Sequence, residues 1–143
     1  MAGKNKTFDI NLLVKDTGLV ATSAAATVSA VAKIIDMGLG EFNGDLIIDV
    51  SACEVASGDE IYTVAFQVSS SSSFASDIFQ LASLPLGDAV PVMGDVDMGV
   101  GRWVLPINNM IQDGVTKRYG RVYTTVAGTV ATGINFTAYI AKR

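Results

Sequence analysis

The residues best suited to chemistry lie in a short stretch rich in aspartate and glycine. Residues 94–101 read GDVDMGVG and place Asp95 and Asp97 in a D-x-D-x-G pattern. Carboxylate oxygens are ligands that Ca²⁺ prefers, and this spacing is typical of the first part of a calcium loop. The acidic residue that such a loop needs near its end is missing. A turn ahead of the strand at Trp103 explains the same letters, so we predict no metal and no cofactor.

Two pairs of acidic residues could be nominated for acid–base chemistry. Asp59 with Glu60, and Asp36 with Glu41, are the candidates. Most acids of this chain lie beside Gly, Ser or Asn, however, where Asp stabilises turns. Cys53 is the single cysteine, and the chain has no histidine to act as its base. We therefore expect Cys53 to be a small buried hydrophobe, and the protein to be no enzyme and to have no small-molecule substrate.

Aromatic side chains offer a binding surface instead of a catalytic one. Tyr119, Tyr123 and Tyr139 fall on the polar faces of their strands by parity, and Trp103 is the single tryptophan. Such a stripe could stack sugars or bases, pack against a neighbouring subunit, or form ordinary cross-strand pairs. All three readings stay open at this point.

The composition narrows the class of partner. The chain has 143 residues, a net charge of −4, 17 % charged residues and 50 % apolar residues. An acidic balance argues against nucleic acid, since phosphate binding relies on Lys and Arg. The uncharged run 17–32 is too short to span a bilayer, and no secretory signal follows Lys4 and Lys6, so we expect no membrane partner and synthesis in a cytoplasm. So few charges indicate either a tight all-β core or apolar surface that is covered by protein partners, and we expect both.

Period-two alternation is the recurring signal, and it predicts strands with one buried face. It is clearest over residues 60–68 and 102–107, and over 118–127 and 134–141, which we expect to form a hairpin around Gly128 and Gly133. Weaker strand candidates are residues 27–35, 46–54, 77–84 and 89–93. The serine run within residues 68–77 is typical of a flexible connection.

About eight strands on one chain of this size predict an all-β fold, which could be a sandwich, a barrel or a jelly roll. No linker divides the chain. We assign residues 1–16 to an extended N-terminal arm and residues 17–143 to a single β domain. Basic residues group at Lys117, Arg118 and Arg121 and at both ends, either as solvated surface or as a docking patch.

Four segments, in order along residues 12–141, resemble the family of phage capsid cement, or decoration, proteins. They are VSAVAKIIDMG (28–38), FQVSSSSSF (66–74), GRWVLPI (101–107) and RYGRVYTTVAGTVATGINFTAYI (118–140). The chain departs from the family in the basic residues 1–6 and in a longer loop between residues 107 and 118.

The resemblance implies a jelly-roll-like antiparallel β-sandwich that binds the outer surface of an assembled phage head, in the virion, after synthesis in the bacterial host cytoplasm. Its partners would be the major capsid protein and further copies of itself, as a homodimer or homotrimer, with no catalytic residues. Contacts are expected in the arm, in the 107–117 loop and in the aromatic-basic strand 118–125. The contact residues are Lys4, Lys6, Phe8, Lys117, Arg118, Tyr119, Arg121 and Tyr123. A carbohydrate-binding β-sandwich of a phage tail or fibre, which uses Trp103 and the tyrosines to stack sugars, is the alternative.

Overall fold

The computed structural model describes residues 8–87 and 99–142, and within them it has twelve strands and one 3₁₀ helix, Ile10–Leu12. The strands are β1 Leu13–Lys15, β2 Leu19–Val20, β3 Ala24–Ala25, β4 Thr27–Val28, β5 Val31–Ala32, β6 Ile35–Asp36, β7 Asn43–Cys53, β8 Ile61–Ser69, β9 Phe79–Leu86, β10 Gly101–Asn108, β11 Tyr119–Ala127 and β12 Ile134–Lys142. No helix in the described ranges has the length and apolarity needed to cross a bilayer.

The strands form two facing antiparallel sheets. One has the order β1-β12-β7-β10, with β2 also paired to β12, and the other has the order β3-β11-β8-β9, with β6 also paired to β11. A separate small hairpin joins β4 to β5. In each sheet a strand from the start of the chain lies beside one from its end, β1 beside β12 and β3 beside β11. This arrangement is typical of a jelly roll. The predicted all-β, jelly-roll-like antiparallel sandwich is confirmed.

Alternating side chains of the two sheets meet in one core. The inward residues of β8 are fully buried and pack with those of β12; together they are Tyr62, Val64, Phe66, Val68, Ile134, Phe136, Ala138 and Ile140. Each large apolar side chain buried in this way contributes about 1.5–3 kcal/mol. Trp103 also packs against this core, and its Nε1 donates to the Gly99 carbonyl oxygen at 2.9 Å. The predicted strand faces of residues 60–68 and 102–107 are therefore confirmed.

The predicted hairpin over residues 118–141 is wrong, because its two strands belong to different sheets. β11 pairs with β8, whereas β12 pairs with β7. The connection between them crosses from one sheet to the other, and the Glu54 carboxylate accepts its backbone N–H groups at Ala131, Thr132 and Gly133. A strand shows the same alternation of buried and exposed residues whether the next strand pairs with it in one sheet or lies in the facing sheet. The alternation therefore could not distinguish a hairpin from a connection between sheets.

The predicted arm does not extend to residue 16. β1 pairs with β12, and Val14 is fully buried in the core, so the chain has already joined a sheet at Leu13. β1 thereby pairs with backbone groups along the edge of β12 that would otherwise be open.

The strand expected over residues 27–35 is divided among β4, β5 and β6, because Ser29 and Ala30 turn the chain with φ of 52° and 63°. Residues 89–93, like Asp95 and Asp97, lie outside the described residues.

Candidate interaction surface

Five of the eight predicted contact residues lie together on or beside β11. Tyr119, Arg121 and Tyr123 point away from the core on the sheet that contains β11, and Lys117 and Arg118 precede them. We call this outer surface of the β3-β11-β8-β9 sheet the β11 face. The predicted contact Phe8 lies on the outer surface of the other sheet, against Tyr139. Lys4 and Lys6 lie outside the described residues.

Strand alternation explains why these side chains share one face. Val122 and Thr124 point into the sandwich and are buried, so the odd-numbered residues of β11 must point outward. The antiparallel register then places Arg121 opposite Gln67 of β8, and Tyr123 opposite Ala65. The sequence pattern predicted the outward set of β11 correctly.

Arg121 contacts two aromatic rings and one side-chain amide on the β11 face. Its guanidinium carbon lies 4.4 Å from the centroid of the Phe74 ring and 5.2 Å from that of Tyr123, within the range of cation–π attraction. Its Nε donates a hydrogen bond to Gln67 Oε1 at 2.9 Å. Burial lowers the pKa of Arg121, which remains charged at any physiological pH.

The serine-rich loop, residues 70–78, supplies the Phe74 ring. Phe74 is only 5 % exposed and takes a φ of 55°, and its N–H donates to the Ser71 carbonyl oxygen. Ser69 Oγ accepts from Ser71 N at 2.9 Å and donates to Ser76 O at 2.7 Å. The serines of the loop that was predicted to be a flexible connection thus bond locally, and its phenylalanine is buried.

The other two cations of this face have acidic partners. Lys117 Nζ lies 2.8 Å from Asp77 Oδ2, and this contact lowers the pKa of Asp77. Arg118 makes two bonds to Asp36, at 2.8 and 2.9 Å, and these lower the pKa of Asp36 to about 2. Two of the three cations of the β11 face are thus ion-paired. The sequence did not indicate Asp36 and Asp77 as partners of these cations, because they lie far away along the chain. The segments that carry the resemblance did include Phe74, which follows the serines.

The tyrosines do not form one stripe. Tyr139 lies on the outer surface of the other sheet, is 7 % exposed, and meets Phe8 edge-to-face with ring centroids 5.4 Å apart. Beside this pair is an open cavity of about 470 Å³ whose polar lining includes Asp49 and Arg102, themselves ion-paired at 2.7 Å. Tyr119 and Tyr123 on the β11 face are half-buried.

The acids considered for acid–base chemistry have structural partners. Asp36 is bonded to Arg118, and Asp59 accepts hydrogen bonds from the Thr129 N–H and hydroxyl. Glu60 is fully buried; its Oε1 accepts from Ser57 N at 2.6 Å, and its Oε2 has no hydrogen-bond partner within the described residues. Within residues 8–87 and 99–142, no cluster of three or more Cys, Asp or Glu is arranged to hold a metal ion.

Cys53 differs from its prediction, since it is half-buried at the rim of the core and not enclosed in it.

No protein-family model matches the chain, and a search of curated proteins finds no match to it. Any function assigned to the protein therefore depends on its residues, on their geometry and on the resemblance noted above.

Proposed function

We propose that this protein is a capsid decoration, or cement, protein. It binds the outer surface of an assembled phage head, bridges major capsid protein subunits and acts as a homo-oligomer in the virion. The observation that carries the proposal is the β11 face, where Arg121 is held by Phe74, Tyr123 and Gln67. Its neighbours Lys117 and Arg118 are ion-paired.

This face has the composition of a protein contact surface. Tyr and Arg are the residue types most enriched among those that dominate binding energy. Side chains already fixed by hydrogen bonds and ring contacts lose less conformational entropy when a partner docks. The ion pairs of Lys117 and Arg118 also leave no strong positive field to attract polyanions. These features support docking on a folded protein surface.

The proposed mechanism is stabilisation by mass action. A protein that binds the assembled shell, and not its separated subunits, raises the free energy needed to take the shell apart. A shell repeats each site many times, so an oligomer that occupies two or three sites gains avidity from modest contacts. This mechanism needs no covalent chemistry. It therefore agrees with a surface on which Asp36 and Asp77 are engaged in ion pairs.

The carbohydrate alternative loses part of its stacking platform in this fold. Trp103 packs on the core, and Tyr139 lies under Phe8. Tyr119 and Tyr123 remain as stacking candidates. A signal on a glycan array that Tyr123→Ala removes would favour the alternative.

The deciding experiment is to measure the copy number of this chain relative to the major capsid protein in purified virions by quantitative mass spectrometry. We expect a ratio of order one, as multivalent coverage of a shell requires. A ratio of a few per hundred would place the protein at the tail or a vertex and contradict the proposal.

The contact face is tested by adding purified variants back to bare heads. Thr125→Glu places a charge at an exposed site on the β11 face, and Val104→Glu places one at an exposed site on the outer surface of the other sheet. We expect Thr125→Glu to weaken binding and Val104→Glu to bind as the parent does. The reverse result would assign the contact to the other sheet.

A further inference from the structure

Among the residues that the structure describes, Arg121 has no acidic partner, unlike Lys117 and Arg118 on the β11 face. Lys117 and Arg118 are neutralised by Asp77 and Asp36. The guanidinium of Arg121 has one hydrogen bond, from Nε to the neutral amide of Gln67. Its two terminal nitrogens, Nη1 and Nη2, have no hydrogen-bond partner within residues 8–87 and 99–142. Arg121 is thus held in place on the β11 face with no counter-charge from the described part of the chain.

The surroundings of Arg121 fix its orientation. Two rings contact the guanidinium, Gln67 holds its Nε, and Phe74 is itself anchored by the serine-rich loop. An arginine on a free surface samples many rotamers and loses that freedom on binding. Here the fold has already restricted the side chain, so little entropy remains to be lost when a ligand meets its free edge.

We propose that Arg121 is a receptor for a carboxylate on a protein partner. A guanidinium edge with two free N–H-bearing nitrogens matches the two oxygens of an Asp or Glu side chain, and such bidentate contacts are among the strongest hydrogen bonds in proteins. One unpaired cation balances one monoanion. A phosphate dianion would leave one negative charge unbalanced at Arg121, on a chain whose net charge is already −4. The partner therefore presents an acidic residue to this face.

This inference deepens the proposed function and rests on the β11 face as the contact surface. Its test needs no capsid, however, so failure of the carboxylate site and failure of head binding would be separate results. The site is measured on the isolated chain by NMR, with the Nε–Hε signals of Arg121, Arg118 and Arg102 followed as sodium acetate is added at constant ionic strength. Sodium chloride and inorganic phosphate are titrated in parallel.

We expect the Arg121 signal to shift and saturate, with a midpoint of roughly 0.1 M acetate, the affinity that the net strength of one hydrogen-bonded contact to a charged group supplies. Arg118 and Arg102 already have carboxylate partners, so their signals should change little and without saturation. Arg121→Lys keeps the positive charge but loses the planar guanidinium that binds a carboxylate with two hydrogen bonds. In this variant the shift of the Gln67 side-chain amide signal on addition of acetate should fall at least about threefold.

Three results would overturn the proposal. They are equal responses of Arg121 and Arg118 to acetate, an equal response of Arg121 to chloride, and tighter binding of phosphate than of acetate. The last would identify a phosphate site instead of a carboxylate site.

Discussion

Asp36 and Arg118 are 82 positions apart and form a two-bond ion pair that fastens β6 to the start of β11, with Nε–Oδ1 and Nη2–Oδ2 distances of 2.8 and 2.9 Å. The bonds from Arg118, with a further one from the Gly38 N–H, hold the pKa of Asp36 at about 2 instead of 3.8. Because the carboxylate is favoured in the folded state, its contribution to stability is present above about pH 4. That contribution is lost as the pH falls towards 2.

Replacing Arg118 should release the Asp36 carboxyl. In Arg118→Gln we expect the pKa of Asp36 to rise towards 3.8 but to stop short of it, since the Gly38 N–H still donates to Oδ1. NMR titration of the Asp36 carboxyl carbon measures this directly. Arg102→Gln removes a similar arginine that pairs with Asp49, and it should leave Asp36 unchanged. An unmoved Asp36 in Arg118→Gln would mean that the ion pair does not form in solution.

The link between β11 and β12 depends on the absence of a side chain at Gly133. Gly133 has a φ of 90°, and a Cβ there would collide with the Val20 carbonyl group. Gly133→Ala should therefore cost about 3 kcal/mol or more, from the left-handed backbone and from overpacking together. Chemical denaturation measures the loss.

Two other glycines separate these causes. Gly38 has a φ of 81° with open space around it, so Gly38→Ala should cost only the backbone term of about 1–2 kcal/mol. Gly18 has neither feature, and Gly18→Ala should be neutral or slightly stabilising. Equal costs for Gly38→Ala and Gly133→Ala would show that the close approach to Val20 is relieved.

Local patterns predicted what each strand buries, and they failed where distant segments meet. Alternation in residues 60–68 assigned Tyr62 and Phe66 to the core, because burial of one strand face acts on every second residue. The same alternation could not show that β11 and β12 lie in different sheets, since partner choice depends on the whole chain.

The candidate surface shows the same division. Parity placed Arg121 and Tyr123 on one face of β11, but Phe74, Asp36 and Asp77 come from other segments. No spacing rule links Asp36 to Arg118 across 82 positions. The ion pairs of Lys117 and Arg118, and the absence of an acidic partner for Arg121 among the described residues, therefore depend on the fold.

Lys15 should stabilise the junction of β1, β2 and β12. Its side chain is buried, and Nζ donates to the carbonyl oxygens of Asp16, Gly18 and Phe136, each at 2.9 Å. Lys15→Met keeps the length of the side chain but leaves those three carbonyls without their donor. We expect a loss of about 2–4 kcal/mol. A change of less than about 0.5 kcal/mol would show that water replaces the ammonium group.

The same side chain predicts a pH dependence. Burial lowers the pKa of Lys15 below 10.5, so the folded state releases its proton before the unfolded state does. Stability that depends on Lys15 should therefore rise with pH between the lowered pKa and 10.5. The measurement is the difference in unfolding free energy between the parent and Lys15→Met. A difference that falls with pH over that interval would contradict the burial of a charged ammonium.

Phe74 should order the serine-rich loop. Phe74→Ala removes a buried ring from Arg121 and should cost about 3 kcal/mol. The amides of Ser71, Phe74 and Ala75, which bond within the loop, should exchange with solvent faster. Phe8→Ala removes a half-exposed ring from Tyr139 and should cost about 1 kcal/mol, with no change in loop exchange. Unchanged exchange in Phe74→Ala would mean that the serines order the loop by themselves.

If the protein cements a shell, the stability of heads must depend on its free concentration. At a concentration about 100 times the dissociation constant, each occupied site stabilises the assembled state by about 2.7 kcal/mol. Calorimetry of bare heads with increasing amounts of the protein should therefore show a dissociation temperature that keeps rising after the sites are full. Thr125→Glu should give a curve displaced to higher protein concentration, and Val104→Glu should follow the parent. Saturated heads that dissociate at the temperature of bare heads would show a protein that binds without cementing.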